Sequence, residues 1–271
     1  MARYMHIKRK AMAKYDLKLR PIHYACVSGG KDSLYMLNLI LNNLDKYPLD
    51  MVVHYDMELD WEWTKEVVAF MEERCEQVGL KFVRIKPEHD WNFYYEKYGF
   101  PNRQVRWCNS RLKINCVKQI TNWIKEQNCR PVAYIGLCAD ETKRFKYNIG
   151  DWKVQDVCYP LAEEGIEEWQ ILEWARKTPI FHDWYKYFNR QGCMMCPMLT
   201  MKEKAYMFKY YPQKYEQYMN YIKKSEESFN YDYFEEPLEV HRKRIETKWL
   251  DILNTEEQFE QLSLFDFMNV D

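Results

Sequence analysis

The residues that promise chemistry fall at two places in the chain. The first is Ser28-Gly29-Gly30-Lys31-Asp32-Ser33, which follows an apolar, strand-like run from Ile22 to Val27. It opens an apolar-periodic helix through Met36, Leu37, Ile40 and Leu41. A glycine pair between strand and helix lets the backbone approach a ligand that a Cβ would exclude. The helix start behind it aims unpaired N–H groups, and the positive end of the dipole, into the loop. Ser28, Ser33 and Lys31 add two hydroxyls and one cation, so the loop reads as a phosphate cradle. It is not the GxxxxGK[ST] loop of the common NTPases, because Ala25 stands where that pattern needs its first glycine. The plain alternative is a tight strand-to-helix turn. The second place is Cys193-Met194-Met195-Cys196, the only closely spaced pair among nine cysteines. Such a pair holds half a zinc site, acts as a redox couple, or is structural.

These residues need elements to hold them. Leu49–Tyr55 reads as a second buried strand ending at Asp56, and Trp63–Val78 has helical spacing and stops near Gly79. Lys81–Ile85 is a short alternating strand, Trp91–Tyr98 an aromatic helix or loop, Leu112–Ile124 an amphipathic helix, and Val132–Leu137 a buried strand. Repeated strand–helix alternation predicts βαβ units and a Rossmann-like α/β fold, a mostly parallel sheet with helices on both faces. Ligands in such sheets bind beyond the C-terminal strand ends. Ser28–Ser33, Asp56 and Gly136–Arg144 all fall there. Beyond Pro160 a short helix is expected over Ile166–Arg176, with Glu167 and Glu168 in its first turn, where they suit the dipole. An aromatic loop, His182–Phe188, leads to the cysteine pair, and the chain reads as helical from about Lys202. The expected organisation is an α/β domain over 1–200 and a helical C-terminal extension over 201–271 packed on it.

The 271 residues are 47% hydrophobic and 30% charged, enough for a real core and a soluble, globular chain. No run approaches a membrane span, and the start lacks the apolar region of a secretory signal. Net charge is −1, which announces no polyanionic partner. The charge is uneven: Arg3, Lys8, Arg9, Lys10, Lys14, Lys18 and Arg20 make a basic start, while 256–271 holds no basic residue. A solvated terminus and a nucleic-acid contact both fit that arm. Nine cysteines without a signal peptide point to a reducing compartment, the cytoplasm, where thiols serve metals or catalysis more often than disulfides. Cys26 and Cys75 read as small core residues, and Cys116, Cys129 and Cys158 likewise.

Several separated segments resemble the phosphoadenosine phosphosulfate (PAPS) reductase family, a branch of the PP-loop, adenine-nucleotide α-hydrolase-like superfamily. Beside the loop itself, Asp56-Met57-Glu58 sits where that family has an acidic residue ending strand two. Gly136-Leu137-Cys138-Ala139-Asp140-Glu141-Thr142 is similar to its segment after strand four. Tyr159-Pro160-Leu161 and the turn from Tyr187 to Pro197 match two further steps in order. The resemblance covers roughly residues 20–200 and implies ATP cleavage between the α and β phosphates. It implies that Ser28, Gly29, Gly30, Lys31, Asp32, Ser33, Asp56, Gly136 and Glu141 bind nucleotide, with Lys31, Asp32 and Asp140 catalytic and Asp32 or Asp140 holding Mg²⁺. Three departures bear on the reaction. Cys138 stands where an arginine is expected, the loop is the full Ser-Gly-Gly-Lys-Asp-Ser, and no thiol follows Cys196 to serve as a reductase nucleophile.

The resemblance also places Cys108, after Arg106-Trp107, where iron–sulfur members supply cluster ligands. Cys108, Cys193 and Cys196 are then three ligands of a [4Fe–4S] cluster, or of zinc, with Cys138 a fourth arm or no ligand at all. Arg103, Arg106, Arg111 and Lys113 beside Cys108 are solvated surface or contacts to a phosphate-bearing substrate. The implied activity is an ATP-dependent sulfur transferase forming AMP and pyrophosphate. Its rivals are a PAPS or adenosine phosphosulfate reductase, adenylyl transfer without sulfur, and a nucleotide-binding regulatory protein. The implied partners are ATP, a nucleic-acid or nucleotide substrate and a sulfur donor, with a homodimer allowed and no membrane.

Overall fold

The computed structural model describes residues 19–144, 155–231 and 233–258. The basic residues from Arg3 to Lys18 and the chain after residue 258 lie outside the described residues. The strands are β1 (Pro21–Val27), β2 (Met51–Tyr55), β3 (Lys81–Ile85), β4 (Arg130–Ile135) and β5 (Asp156–Cys158). They form one sheet in the order β3-β2-β1-β4-β5, every neighbouring pair parallel. The helices are α1 (Lys31–Leu41), α2 (Glu62–Gln77), α3 (Trp91–Tyr98), α4 (Ile114–Glu126), α5 (Pro160–Glu163), α6 (Glu168–Lys177), α7 (Trp184–Tyr187), α8 (Met201–Tyr210), α9 (Pro212–Phe229) and α10 (Leu238–Arg244). π-helical turns Cys108–Lys113 and Ile245–Trp249 run into α4 and into a last helix ending at 258.

The expected Rossmann-like parallel sheet is the fold observed, and the alternation of β1 and β2 explains it. Ala25, Val27 and Val52 turn to one face and pack with Leu34, Met36, Leu37 and Ile40 of α1 and Val67, Met71 and Cys75 of α2. Ile22, Tyr24, Met51, Val53 and Tyr55 turn to the other and meet Cys116, Val117, Ile120 and Ile124 of α4. Strands buried on both faces must be apolar throughout, which is why they read as continuous runs. β5 was not expected; three residues are too short to carry a period. None of the helices among the described residues is long and apolar enough to cross a membrane.

The chain divides into two compact units, one of Met1–Asp90 and Asn109–Gln191, the other of Trp91–Cys108 and Gly192–Asp271. The first holds the sheet. The second gathers α3, the cysteine turn and the C-terminal helices, so it takes in a segment from within the sequence range expected for the α/β domain.

Leu37 is fully buried between α1 and the sheet. Leu37→Ala should cost about 2–5 kcal/mol of unfolding free energy, read by chemical denaturation.

Candidate functional site

The strand order reverses between β1 and β4, so their C-terminal ends leave a crevice where a ligand of a parallel sheet binds. β1 runs into the Ser28–Ser33 loop there, and β4 runs into Gly136. Gly29 has φ +73°, a conformation that favours glycine. A Cβ on it would stand 2.6 Å from Thr64 Cγ2 and 2.9 Å from Thr64 O, because α2 packs directly on the loop. A Cβ on Gly136 would lie 3.0 Å from the Asp32 carbonyl oxygen, so the exit of β4 presses on the first turn of α1. The loop is tied internally. The Ser28 amide donates to Ser33 Oγ (3.2 Å), and that hydroxyl donates to the Gly30 carbonyl (2.9 Å).

Lys31 is the buried charge of the site, 1% exposed. Its ammonium donates to Asp32 Oδ1 at 2.8 Å and to Glu168 Oε1 at 3.3 Å. Burial works against the charge, but these two carboxylates outweigh it and hold the ammonium above its ordinary value. Glu168 is the first residue of α6, and its amide donates to Asp140 Oδ1 (3.1 Å). The Lys31 amide donates to the Tyr185 hydroxyl (3.2 Å), which comes from α7. Glu141 accepts from the Cys138 amide (3.0 Å) and pairs with Arg144. Lys31, Asp32, Asp140 and Glu141 are thus brought together at the loop.

Cys138 is fully buried in the same place, its thiol 3.8 Å from Asp32 Oδ1. Burial pushes the thiol well up, and Asp32, Glu141 and Asp140 reinforce the shift against Lys31. Such surroundings oppose the thiolate that metal ligation needs.

Asp56 follows β2, its amide bonded to Ile85 O and its Oδ1 accepting from the Glu58 amide (3.1 Å). Two neighbours escaped the sequence reading. His54 is buried, with Nδ1 3.1 Å from the Val27 carbonyl and Nε2 3.7 Å from Asp60 Oδ2. Burial raises the Asp60 carboxyl, with His54 opposing and Asp56 adding to the rise. Glu168 and Tyr185 were missed as well. Only the motif of a histidine in a buried strand marked the first pair, and nothing local marked the second. A cavity of about 210 Å³ lies among the N-terminal ends of β1, β4 and β5, lined by His23, Arg130 and Asp156; it is at the opposite end of the strands from the loop.

The second unit contains Cys108, Cys193 and Cys196, all half-buried. The Cys196 amide donates to Cys193 O (3.1 Å), closing a tight turn. A Cβ on Gly192 would meet Cys196 Cβ and Sγ at 3.1 Å, so the side chain of Cys196 folds back over a glycine. The buried Tyr218 donates its hydroxyl to Cys196 O (3.4 Å) and lies within electrostatic reach of Cys196 and Cys193. Tyr233, bonded to Pro101 O (2.7 Å), is within reach of Cys196 and Cys108. Two tyrosines therefore lie near the three thiols. Among the described residues no three His, Cys, Asp or Glu side chains already stand as a metal-binding group. Thiolates are the donor type that zinc and iron–sulfur centres take. Arg103 and Arg106 in this unit, and Arg111 and Lys113 in the first, are all exposed.

Deeper in the second unit lies a chain of three groups. Glu236 accepts from His241 Nδ1 (2.9 Å), and His241 Nε2 accepts from the Lys204 ammonium (3.2 Å). The ammonium also lies 4.7 Å from the centre of the Phe234 ring, which stacks on His241. Burial and nearby Arg103 push Lys204 down to about 8. Burial and the Lys204 charge lower His241.

Residues 22–199 match the phosphoadenosine phosphosulfate reductase domain. The chain belongs to that family. It is 30% identical over 222 residues to the uncharacterized protein MJ0066 of Methanocaldococcus jannaschii, covering 80% of this chain and 44% of that protein. It is 26% identical over 218 residues to MJ0973 of the same organism, covering 76% and 47%. The chain thus spans less than half the length of the curated relatives it matches. Among solved structures it is similar to the U34-tRNA thiolase NcsA from Methanococcus maripaludis with its [4Fe-4S] cluster, at 18% identity and TM-score 0.36, covering 82% of this chain and 78% of that one.

Gly29→Ala should cost roughly 1–3 kcal/mol, from a positive φ and from the collision with Thr64, measurable by denaturation. A pH dependence also follows. An unfolded histidine takes up a proton near pH 6.5, whereas folded His241 resists it, so stability falls as pH drops below about 6.5. His23 and His182 are lowered too and add to the decline. Denaturation at pH 7.5 and 5 should show the loss, and His241→Gln should flatten part of it.

Proposed function

We propose that the chain is an ATP-dependent sulfur transferase that forms AMP and pyrophosphate and acts on a nucleic-acid or nucleotide substrate. The observation that carries the reading is the intact Ser28–Ser33 loop at the β1–β4 reversal, with Lys31 and the start of α1 converging on it. A substrate oxygen attacks the α-phosphorus of ATP, the bond to the bridging oxygen breaks, and pyrophosphate leaves. Lys31 and the Gly29 and Gly30 amides stabilise the charge that builds on the leaving group, where preorganised donors count most. Asp32 and Asp140 supply hard carboxylate oxygens suited to Mg²⁺. A sulfur donor then provides the atom that displaces AMP from the activated position.

The second unit is read as the holder of the metal centre. Cys108, Cys193 and Cys196 would ligate a [4Fe–4S] cluster, which, when bound, holds or delivers sulfur. Three soft thiolates around Tyr218 and Tyr233 suit iron–sulfur, with zinc the competing metal. Cys138 is left out, because its carboxylate-lined, buried position disfavours the thiolate. Reduction of PAPS fits less well, since the loop is the full Ser-Gly-Gly-Lys-Asp-Ser, suited to a nucleotide with a β,γ-pyrophosphate. The exposed Arg103, Arg106, Arg111 and Lys113 are offered as contacts to the phosphates of the acceptor.

Lys31→Ala should abolish AMP and pyrophosphate release from ATP in the presence of acceptor and weaken ATP binding. Products of ADP and phosphate would defeat the reading. For the metal, protein purified without oxygen should contain iron and sulfide. Alanine at Cys108, Cys193 or Cys196 should remove the iron and its visible absorbance, while Cys138→Ala should retain both. Stoichiometric zinc without iron would contradict the cluster, and loss of iron in Cys138→Ala would contradict the three-cysteine assignment.

A further inference from the structure

The phosphate loop is filled from within. The Lys31 ammonium, which an incoming phosphate would need, is covered by Glu168 at 3.3 Å and by Asp32 at 2.8 Å. The Lys31 amide, one of the unpaired donors a helix start offers an anion, is taken by the Tyr185 hydroxyl. Glu168 and Tyr185 both come from the stretch after β5, so one part of the chain supplies both substitutes. The side chain of Glu168 is 39% exposed whereas that of Lys31 is 1% exposed. The carboxylate can therefore swing into solvent while the ammonium stays where it is. Its backbone is held independently, by Asp140 on its amide and by the reciprocal bonds of Glu167 and Gln170 at the helix start. Glu168 is a swinging side chain on a fixed stem.

Asp32 is exposed to a similar degree, 37%, but it sits on the loop itself, next to Lys31 in sequence, whereas Glu168 reaches in from another element. One ammonium here faces two carboxylates, Asp32 and Glu168, and a third, Asp140, accepts from the Glu168 amide. A free nucleotide triphosphate brings further negative charge into that set, and like charges at close range oppose its binding. A nucleotide that carries a divalent cation brings its own compensation.

We propose that Glu168 occupies the place of a phosphate oxygen on Lys31, so that nucleotide binds by displacing it and the magnesium complex is selected over free nucleotide. The proposal rests on the ATP reading above and adds a positioning residue to it. Glu168 sets where the lysine points before the nucleotide arrives and how much charge the nucleotide must overcome.

The test is calorimetric titration of the full chain with ATP, once in EDTA and once in excess Mg²⁺. Wild type should bind the magnesium complex at least tenfold more tightly than free ATP. Glu168→Gln keeps the shape and removes the charge, and it should bind free ATP at least fivefold more tightly than wild type, shrinking the preference for magnesium. Glu168→Ala, read in the same way, guards against a glutamine that still bonds Lys31. A thermal melt of each variant confirms folding. If both variants bind free ATP no more tightly than wild type, Glu168 is no competitor and the proposal fails while the ATP reading stands. If wild type binds ATP in neither buffer, the ATP reading fails and takes this proposal with it.

Discussion

The constraint on which the nucleotide half depends is one buried cation. An ammonium taken out of water without a partner costs several kcal/mol, so Lys31 has to be met by carboxylates wherever the fold buries it. Asp32 comes from the same loop, but Glu168 comes from α6, 137 positions away in sequence. That pairing joins the first strand–helix turn to an element that follows the last strand. Asp140, accepting from the Glu168 amide, adds the exit of β4 to the same knot. The close approach at Gly136 belongs to the same place, where a Cβ would stand against the Asp32 carbonyl, while Gly29 is pressed by α2.

The cysteine unit solves a different problem with aromatic residues. Near its three half-buried thiols stand Tyr218 and Tyr233, apolar rings whose polar tips are bonded to backbone carbonyls. The buried Lys204 leans on the faces of Phe234 and Tyr218 and on His241, where Lys31 leans on carboxylates. One buried lysine is thus held above its usual pKa by carboxylates and the other is pushed below it. The contrast shows how far partner chemistry, not burial alone, decides the charge of a lysine.

Much of this was legible in the sequence where the signal is local. β1 to β4 announce themselves as apolar runs because strands buried on both faces tolerate little else. The phosphate loop is legible because glycine, lysine and serine in that order have a direct steric and electrostatic meaning. Glu168 read only as an acidic residue suiting a helix dipole, since its partner lies far off in sequence. His54 was hidden inside a strand for the same reason. β5, at three residues, is below the length at which periodicity speaks. Trp91–Cys108 belongs by contact with residues beyond 191, which no reading in chain order reveals.

The central claim is that nucleotide phosphates take over the Lys31 ammonium at the β1–β4 reversal. The most direct measurement is a crystal structure of the full chain with magnesium and an ATP analogue whose α–β bridge is methylene. The account predicts the phosphates over Ser28–Ser33, Lys31 Nζ within bonding distance of a phosphate oxygen, and the Glu168 carboxylate turned away. A nucleotide bound elsewhere, or one bound at the loop with Lys31 still paired to Glu168, would contradict it.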